Sequence, residues 1–210
     1  DLDQVEIHRG PQGSRIGANA LAGLIYIKTK DPTEEFEGTS ELTIGDYGTT
    51  NFGIAFGGPL KDNKDISYRL VLRKDQSDGF RKNLYSNKSD TSKKDESTFR
   101  LKINWELSEK TSAKFLVTQI GMDDPADIWT LDGSLNTLSD RPGMDSQKTN
   151  AYGLKIFHRF NKFELQSLTS ITDTNVIFSY DADWGNSESH APYTYDYFSV
   201  TLSNRESFIQ

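Results

Sequence analysis

The feature that most constrains this chain is a two-residue alternation of apolar and polar side chains that recurs along most of its length. In the segment STFRLKINW (97–105), Phe99, Leu101 and Ile103 alternate with polar residues. Successive side chains of a β-strand point to opposite faces, so this segment predicts a strand with one apolar and one polar face. The segment DISYRLVLR (65–73) has the same pattern.

Alternation of this kind predicts eight strands, and no convincing helical stripe follows residue 36. The strands are expected near residues 36–45, 50–58, 65–76, 97–106, 111–121, 149–160, 162–180 and 196–210. The predicted fold class is therefore all-β, with antiparallel strands joined by turns and loops.

The connections between these strands differ in length. The runs 77–96 and 122–148 are long and polar, and a third long loop is expected near 181–193. The connections at 107–111 and 161–162 are short. Short turns on one edge and long loops on the other are typical of an outer-membrane β-barrel, whereas a soluble sandwich has no reason to sort its loops in this way.

Composition and chain ends limit the alternatives. The formal net charge is −7 and the basic residues are spread, which argues against a nucleic-acid partner. There is no cysteine, so disulfides and thiol chemistry are excluded. No stretch reaches the roughly 18 apolar residues of a membrane helix. The chain opens on Asp1 and stops inside a strand-like run, so we expect a piece of a larger protein.

A glycine-rich stretch, VEIHRGPQGSRIGANALAGLIYIKTKDPT (5–33), raises the question of a phosphate-binding loop. A P-loop would place lysine directly after its last glycine, but Gly17 is followed by Ala18, and the first lysine is Lys28. The dinucleotide pattern G-x-G-x-x-G is also absent. Neither nucleotide-binding interpretation fits, and the glycines need another explanation.

In order and spacing, the stretch resembles the end of the plug domain of TonB-dependent outer-membrane transporters. In that family an acidic strand, an Arg-Gly-Pro-Gln-Gly turn, a Gly-x-Asn-Ala segment, a glycine and an I-x-I-x-T-K strand follow one another. Here these are Glu6, Arg9-Gly10-Pro11-Gln12-Gly13, Gly17-Ala18-Asn19-Ala20, Gly23 and Ile25-Tyr26-Ile27-Lys28-Thr29-Lys30. Leu24 and Tyr26 depart from the residues usual in the family, without breaking the pattern.

The resemblance implies two domains. Residues 1–33 are expected to be the C-terminal end of a plug domain and residues 34–210 the N-terminal part of a transmembrane β-barrel. Gly58-Pro59-Leu60 and Ser77-Asp78-Gly79-Phe80 fit barrel motifs of the family. The eight strands would be about the first eight of a barrel that has 22 strands and a plugged lumen in such transporters. Alone they would leave unpaired edges.

The resemblance also implies a function and a location, the bacterial outer membrane. The chain would take part in active transport of a scarce, large solute, most commonly a ferric siderophore or similar iron complex. TonB and its inner-membrane energising complex would be partners through an N-terminal box absent here, and lipid or lipopolysaccharide would surround the barrel. Enzymatic activity, a cofactor and a bound metal are not expected.

Site residues follow from the same resemblance. Glu6 and Arg9 are expected to lock the plug to the barrel by pairing with barrel charges; the alternative is an exposed pair worth about 0–1 kcal/mol. The plug turn is expected at Gly10, Pro11, Gly13, Gly17, Asn19 and Gly23. Glycine suits it because it tolerates positive φ and close backbone approach, and proline fixes φ.

Loop residues supply weaker candidates. Trp129 and Trp184 could stack on a sugar or an aromatic siderophore, or could simply anchor loops. The segment 181–190 contains oxygen ligands suited to Ca²⁺ but lacks the EF-hand glycine, so a solvated loop is favoured. Three scattered histidines predict no metal site.

Several functions stay open at this point. Within the same mechanism, the solute could be an oligosaccharide or cobalamin instead of an iron complex. In other classes, the chain could belong to a passive porin or to a soluble β-sandwich adhesin. The plug-like stretch argues against both, because neither needs it.

Overall fold

The structure is a computed structural model, and it describes residues 1–11, 22–60 and 63–209. Three of the predicted turn residues, Gly13, Gly17 and Asn19, lie outside these ranges. Within them, no helix is long and apolar enough to cross a membrane.

Twelve strands make up the regular structure of the described residues. In chain order they are β1 (Leu2–Arg9), β2 (Gly23–Thr29), β3 (Glu37–Ile44), β4 (Thr50–Leu60), β5 (Asn63–Ser77), β6 (Lys82–Asn83), β7 (Lys94–Ser108), β8 (Thr111–Pro125), β9 (Asn136–Thr137), β10 (Met144–Arg159), β11 (Glu164–Asp181) and β12 (Phe198–Ile209).

The strands form three separate sheets. The N-terminal hairpin pairs β1 with β2, in a register that places Ile7 opposite Ile25. Eight strands form one antiparallel sheet in the order β12-β11-β10-β8-β7-β5-β4-β3. The two-residue strands β6 and β9 pair in parallel between two loops. The all-β, antiparallel fold class predicted from the alternation is confirmed.

All eight predicted strands are present in the large sheet, but several extend further than the alternation indicated. β7 begins at Lys94 and β10 at Met144, three and five residues before their predicted starts at 97 and 149. At these ends both faces carry polar residues, and ion pairs such as Lys94–Glu96 (3.0 Å) join neighbouring positions of a strand. Strand pairing therefore extends beyond the residues that show the apolar–polar alternation.

The two faces of the sheet differ in chemistry. Directly paired residues share a face, and Leu70, Leu101, Val117 and Tyr152 form one cross-strand row. Their face is the apolar one that the alternation predicted. The opposite face carries rows of charged and small residues, including Arg69. An apolar outer face and a polar inner face are the arrangement of a transmembrane barrel wall.

The connections are sorted between the two edges of the sheet. On one edge β4 ends and β5 begins, and the short connections 109–110 and 160–163 lie on the same edge. The other edge carries 78–93, 126–143 and 182–197, together with the short turn 45–49 between β3 and β4. The predicted separation of short turns from long loops therefore holds from β4 onward, whereas the first turn lies on the long-loop edge. In that turn Gly45 and Thr49 close a compact hydrogen-bonded loop at 3.0 Å.

Candidate functional site

The inner face of the sheet holds the N-terminal hairpin through one buried arginine. The side chain of Arg69 is 2% exposed, and that of Asp1 is 7% exposed. Arg69 donates from Nε (3.0 Å) and Nη2 (2.6 Å) to Oδ1 of Asp1. It also donates from Nη1 to Oε1 of Glu37 at 2.6 Å. One guanidinium therefore joins the start of the hairpin to the first strand of the sheet.

A glycine leaves room for this arginine. Gly57 lies directly opposite Arg69 in the β4–β5 pair. A Cβ at Gly57 would lie 2.1 Å from the carbonyl oxygen of Tyr68 and 2.8 Å from Cα of Arg69. These are backbone atoms, so they could not turn aside as a side chain would. The two strands can approach this closely only because Gly57 has no side chain.

Lys102 makes the second contact between the sheet and the N-terminal segment. It lies opposite Arg69 in the β5–β7 pair. Its Nζ donates to the carbonyl oxygen of Thr29 and to Oδ1 of Asp31, both at 2.8 Å. Burial acts to raise the pKa of Asp31, but the hydrogen bond from Lys102 and the charges of Lys102 and Lys114 lower it below its ordinary value.

We call this set of contacts the inner-wall clamp. It consists of Arg69 and Lys102 with the groups that they hold, namely Asp1, Thr29, Asp31 and Glu37. The hydrophobic pattern could not reveal it, because on a polar face each of these side chains looks like an ordinary solvent-facing residue.

The two residues predicted to lock the hairpin to the barrel lie elsewhere. Glu6 bonds within its own strand, to Nε2 of Gln4 (2.9 Å) and to Nε2 of His8 (2.8 Å). Arg9 is exposed, and its side chain makes no ion pair or hydrogen bond with any residue that the structure describes. A locking role for Glu6 and Arg9 stays a prediction, while the contacts that the structure shows belong to the inner-wall clamp.

Two of the predicted turn glycines adopt conformations that favour glycine. Gly10 has φ of 86° and donates its backbone N–H to the carbonyl of Ala22 at 3.1 Å, just before Pro11. Gly23 has φ of 156°, and a Cβ there would lie 2.6 Å from the carbonyl oxygen of His8. Both glycines lie where the hairpin strands separate, and each supplies a geometry that an L-residue would resist.

At the opposite end of the sheet, a buried polar network joins the first two long loops. Asn83 is 1%, Asp127 4% and Thr137 0% exposed. Asn83 donates from Nδ2 to Oδ2 of Asp127 at 2.8 Å, and Thr137 donates from Oγ1 to the same oxygen at 2.9 Å. Since β6 and β9 pair beside these bonds, the loops 78–93 and 126–143 are joined by both backbone and side chains.

The third long loop is attached to the second. Asn186 donates from Nδ2 to the carbonyl oxygen of Leu138 at 2.7 Å, and Asp140 donates its backbone N–H to the carbonyl oxygen of Gly185 at 3.0 Å. We call the three joined loops, 78–93, 126–143 and 182–197, the loop cap. Sequence periodicity gave no sign of it, because its contacts join residues about 40–60 positions apart.

Burial raises the pKa of Asp127 above its ordinary value, although the hydrogen bonds from Asn83 and Thr137 act in the opposite direction. A carboxyl group whose folded pKa is raised stabilises the fold most below its unfolded pKa, and this stabilisation is lost as pH rises through the folded pKa. We therefore expect the loop cap to open more readily as pH rises from the unfolded to the folded pKa of Asp127.

Asp127→Asn should remove this pH dependence, because the amide keeps an acceptor oxygen but does not titrate. Amide exchange of 78–93 and 126–143, corrected for intrinsic rates, measures the opening in the full-length protein. Asp132→Asn, at an exposed position of the same loop, is the matched control. Equal pH profiles for wild type and Asp127→Asn would contradict the assignment.

Trp129 forms an aromatic cluster on the inner side of the loop cap. Its ring centroid lies 4.9 Å from that of Tyr180 and 6.5 Å from that of Phe178. Two members of the cluster, Trp129 and Phe178, line a cavity of about 310 Å³ together with charged residues such as Lys94 and Asp145. Aromatic rings beside charged side chains are suited to binding a planar or ring-shaped solute.

Trp184, the other predicted stacking residue, is placed differently. It has φ of 61°, is 39% exposed, and makes no ring contact with the described residues. Near it, Asp183 accepts backbone N–H bonds from Tyr197 (2.7 Å) and Gly185 (3.0 Å). Among the residues described, no group of three His, Asp or Glu side chains is arranged to hold a metal ion.

Comparison with known proteins places these features in context. No family model matches the chain. The vitamin B12 transporter BtuB of Vibrio vulnificus is 24% identical over 152 residues, which are 66% of this chain and 24% of that protein. The ferripyoverdine receptor of Pseudomonas aeruginosa is 33% identical over 69 residues, 33% of this chain and 8% of that protein.

Among solved structures, the ferric yersiniabactin uptake receptor FyuA of Yersinia pestis has a TM-score of 0.73 at 18% identity. The match covers 86% of this chain and 29% of that one. The chain thus spans less than a third of each of these three proteins.

These similarities confirm the predicted resemblance: the chain has the fold of part of a TonB-dependent outer-membrane receptor. The relatives are receptors and transporters rather than enzymes.

Proposed function

We propose that the chain is part of a receptor that takes up a ferric siderophore across the bacterial outer membrane. The inner-wall clamp is the observation that carries this proposal. A passive porin has a water-filled lumen, whereas here Arg69 and Lys102 hold a separate hairpin against the polar face of the wall. A hairpin fixed there would obstruct the lumen, so passage would need a step that moves it.

The division into domains belongs to the same proposal. Residues 1–33 would be the end of a plug and residues 34–210 the first part of the barrel. In support, the hairpin ends at Thr29, the large sheet begins at Glu37, and the contacts between the two are made by long side chains. The TonB protein, through a segment preceding Asp1, would supply the force that moves the plug.

The proposed solute class rests on the relatives and on the loop cap. The ferripyoverdine and ferric yersiniabactin receptors are named for iron–siderophore complexes. The aromatic cluster of Trp129, Phe178 and Tyr180 suits a solute with a flat or cyclic part. Cobalamin is the second candidate, because the relative matched over the larger share of this chain is a vitamin B12 transporter.

A growth assay on defined solutes tests the proposal. The full-length receptor is expressed in a strain that lacks its own siderophore and cobalamin receptors. We expect growth under iron limitation on at least one of ferric pyoverdine, ferric yersiniabactin, a ferric hydroxamate or a ferric catecholate. Growth restored only by cobalamin, in a strain that depends on it, would favour the second candidate. No rescue by any of them, with normal amounts of folded receptor, would contradict both.

A further inference from the structure

The inner face of the large sheet is acidic where it meets the loop cap. Near that end, Asp75 on β5 lies opposite Glu96 on β7. One row closer to the long loops, Asp124 on β8 lies opposite Asp145 on β10. The inner-wall clamp, whose holding groups are basic, lies further toward the short turns. A solute that enters from the long-loop side therefore meets a carboxylate-rich part of the wall first.

Two of these four carboxylates are neutralised by basic neighbours. Arg73 donates from Nε to Oδ2 of Asp75 at 2.7 Å and from Nη2 to Oδ1 at 2.9 Å. Lys94 forms an ion pair with Glu96 at 3.0 Å. Asp75 and Glu96 therefore already have the cations that their charges need.

The other two carboxylates, Asp124 and Asp145, repel each other. Residues directly opposite on one face have Cβ atoms about 4.5–5.5 Å apart, and like charges there destabilise the pair. The charge of Asp145 acts on Asp124 across the strand pair. Asp124 accepts the backbone N–H of Asp95 at 2.7 Å, whereas the side chain of Asp145 makes no ion pair or hydrogen bond with the described residues. A cation placed between the two would relieve this repulsion.

Aromatic rings lie beside this carboxylate pair. Phe178 is the direct partner of Asp145 on β11. Trp129 and Phe178, with ring centroids 6.5 Å apart, line the same cavity of about 310 Å³ as Asp124 and Asp145. The faces of aromatic rings attract organic cations, as carboxylates do. A hard metal ion such as Ca²⁺ prefers a shell of oxygen ligands instead. Rings and carboxylates around one cavity therefore suit an ammonium or guanidinium group.

We propose that the solute carries a positively charged organic group, an ammonium or guanidinium, and that Asp124 and Asp145 bind this group beside Trp129 and Phe178. This inference rests on the proposed function, which it narrows to ferric siderophores that bear such a group. A neutral or anionic complex with the same iron coordination would gain nothing from the carboxylate pair and would bind more weakly.

Two iron complexes that differ by one charge test this inference. The probes are the ferric complex of a linear trihydroxamate with a free terminal amine and the ferric complex of its N-acetylated form, which coordinate iron in the same way. Their affinities for the purified full-length receptor are measured by quenching of tryptophan fluorescence. We expect the amine form to bind about tenfold more tightly, the order expected for a partly desolvated cation beside aromatic rings and carboxylates.

Asp145→Asn should remove this preference. The affinity of the amine form should fall to that of the acetylated form, whose own affinity should stay near the wild-type value. Asp123→Asn, one position before Asp124 but on the outer face of β8, is the matched control and should keep the preference.

Several outcomes would overturn the inference. One is equal affinity of the wild-type receptor for the two probes, and another is growth restored by other ferric siderophores when neither probe binds. An equal loss of affinity for both probes in Asp145→Asn would mean that this carboxylate supports the fold instead of the solute. Binding of Ca²⁺ that Asp145→Asn abolishes would assign the carboxylates to a metal ion. Failure of every ferric siderophore, both probes included, to restore growth would instead refute the proposed function.

Discussion

Replacing Arg69 by alanine is expected to release the N-terminal hairpin from the wall. The change leaves the carboxylate of Asp1, whose side chain is 7% exposed, without its partner. Removing one partner of a buried ion pair costs about 3–5 kcal/mol. Even about 3 kcal/mol would raise the equilibrium constant for opening of the hairpin more than a hundredfold. Amide exchange of β1 and β2 in the full-length receptor should accelerate by at least about that factor.

Two further variants separate the clamp from general charge effects. Arg69→Lys should recover part of the protection, because lysine keeps the charge but lacks the planar fork that binds Asp1 through two nitrogens. Lys28→Ala removes the exposed Lys28–Asp3 pair (2.6 Å) and should change exchange little. Wild-type exchange rates in Arg69→Ala would show that the clamp does not hold the hairpin.

A second large effect is expected from Gly57→Ala. The new Cβ would lie 2.1 Å from the carbonyl oxygen of Tyr68, so β4 and β5 would have to move apart where Arg69 is seated. Since a strand pair of the wall is disturbed, we expect a marked loss of folded receptor in the outer membrane, measured by heat-modifiable gel mobility. Surviving protein should show the hairpin release of Arg69→Ala.

Gly53→Ala is the matched control for this prediction. Gly53 lies on the same strand and the same face, but the nearest atom to a Cβ there is Nη1 of Arg73 at 3.8 Å, an ordinary contact. Its folded yield should equal that of wild type. If Gly57→Ala and Gly53→Ala gave equal yields, close approach at Gly57 would not matter for folding.

Much of the large sheet could be predicted from the sequence, because the two-faced character of a strand is visible in a few consecutive residues. The alternation of Phe99, Leu101 and Ile103 with polar residues shows a two-faced strand within nine residues. Strand ends such as Lys94 and Met144 could not be predicted in this way, because both faces are polar there and pairing depends on the neighbouring strand.

The inner-wall clamp and the loop cap were harder to predict, because the residues that contact each other there are distant in sequence. Arg69 meets Asp1 68 positions away, and Asn83 meets Asp127 44 positions away. On an inner face, a charged residue that holds another segment has the same local pattern as one that faces water. Trp129 could be found, since a tryptophan in a polar loop is conspicuous, but its packing on Tyr180 depends on the fold.

Energised uptake is the most direct test of the proposed transport function. Cells expressing the full-length receptor are given the ⁵⁵Fe-labelled siderophore that rescues growth, and surface-bound and accumulated iron are counted with and without a protonophore. A TonB-driven receptor should keep its surface binding and lose accumulation when the proton gradient collapses. Accumulation that continues unchanged in the presence of the protonophore would contradict active transport and favour a passive pore.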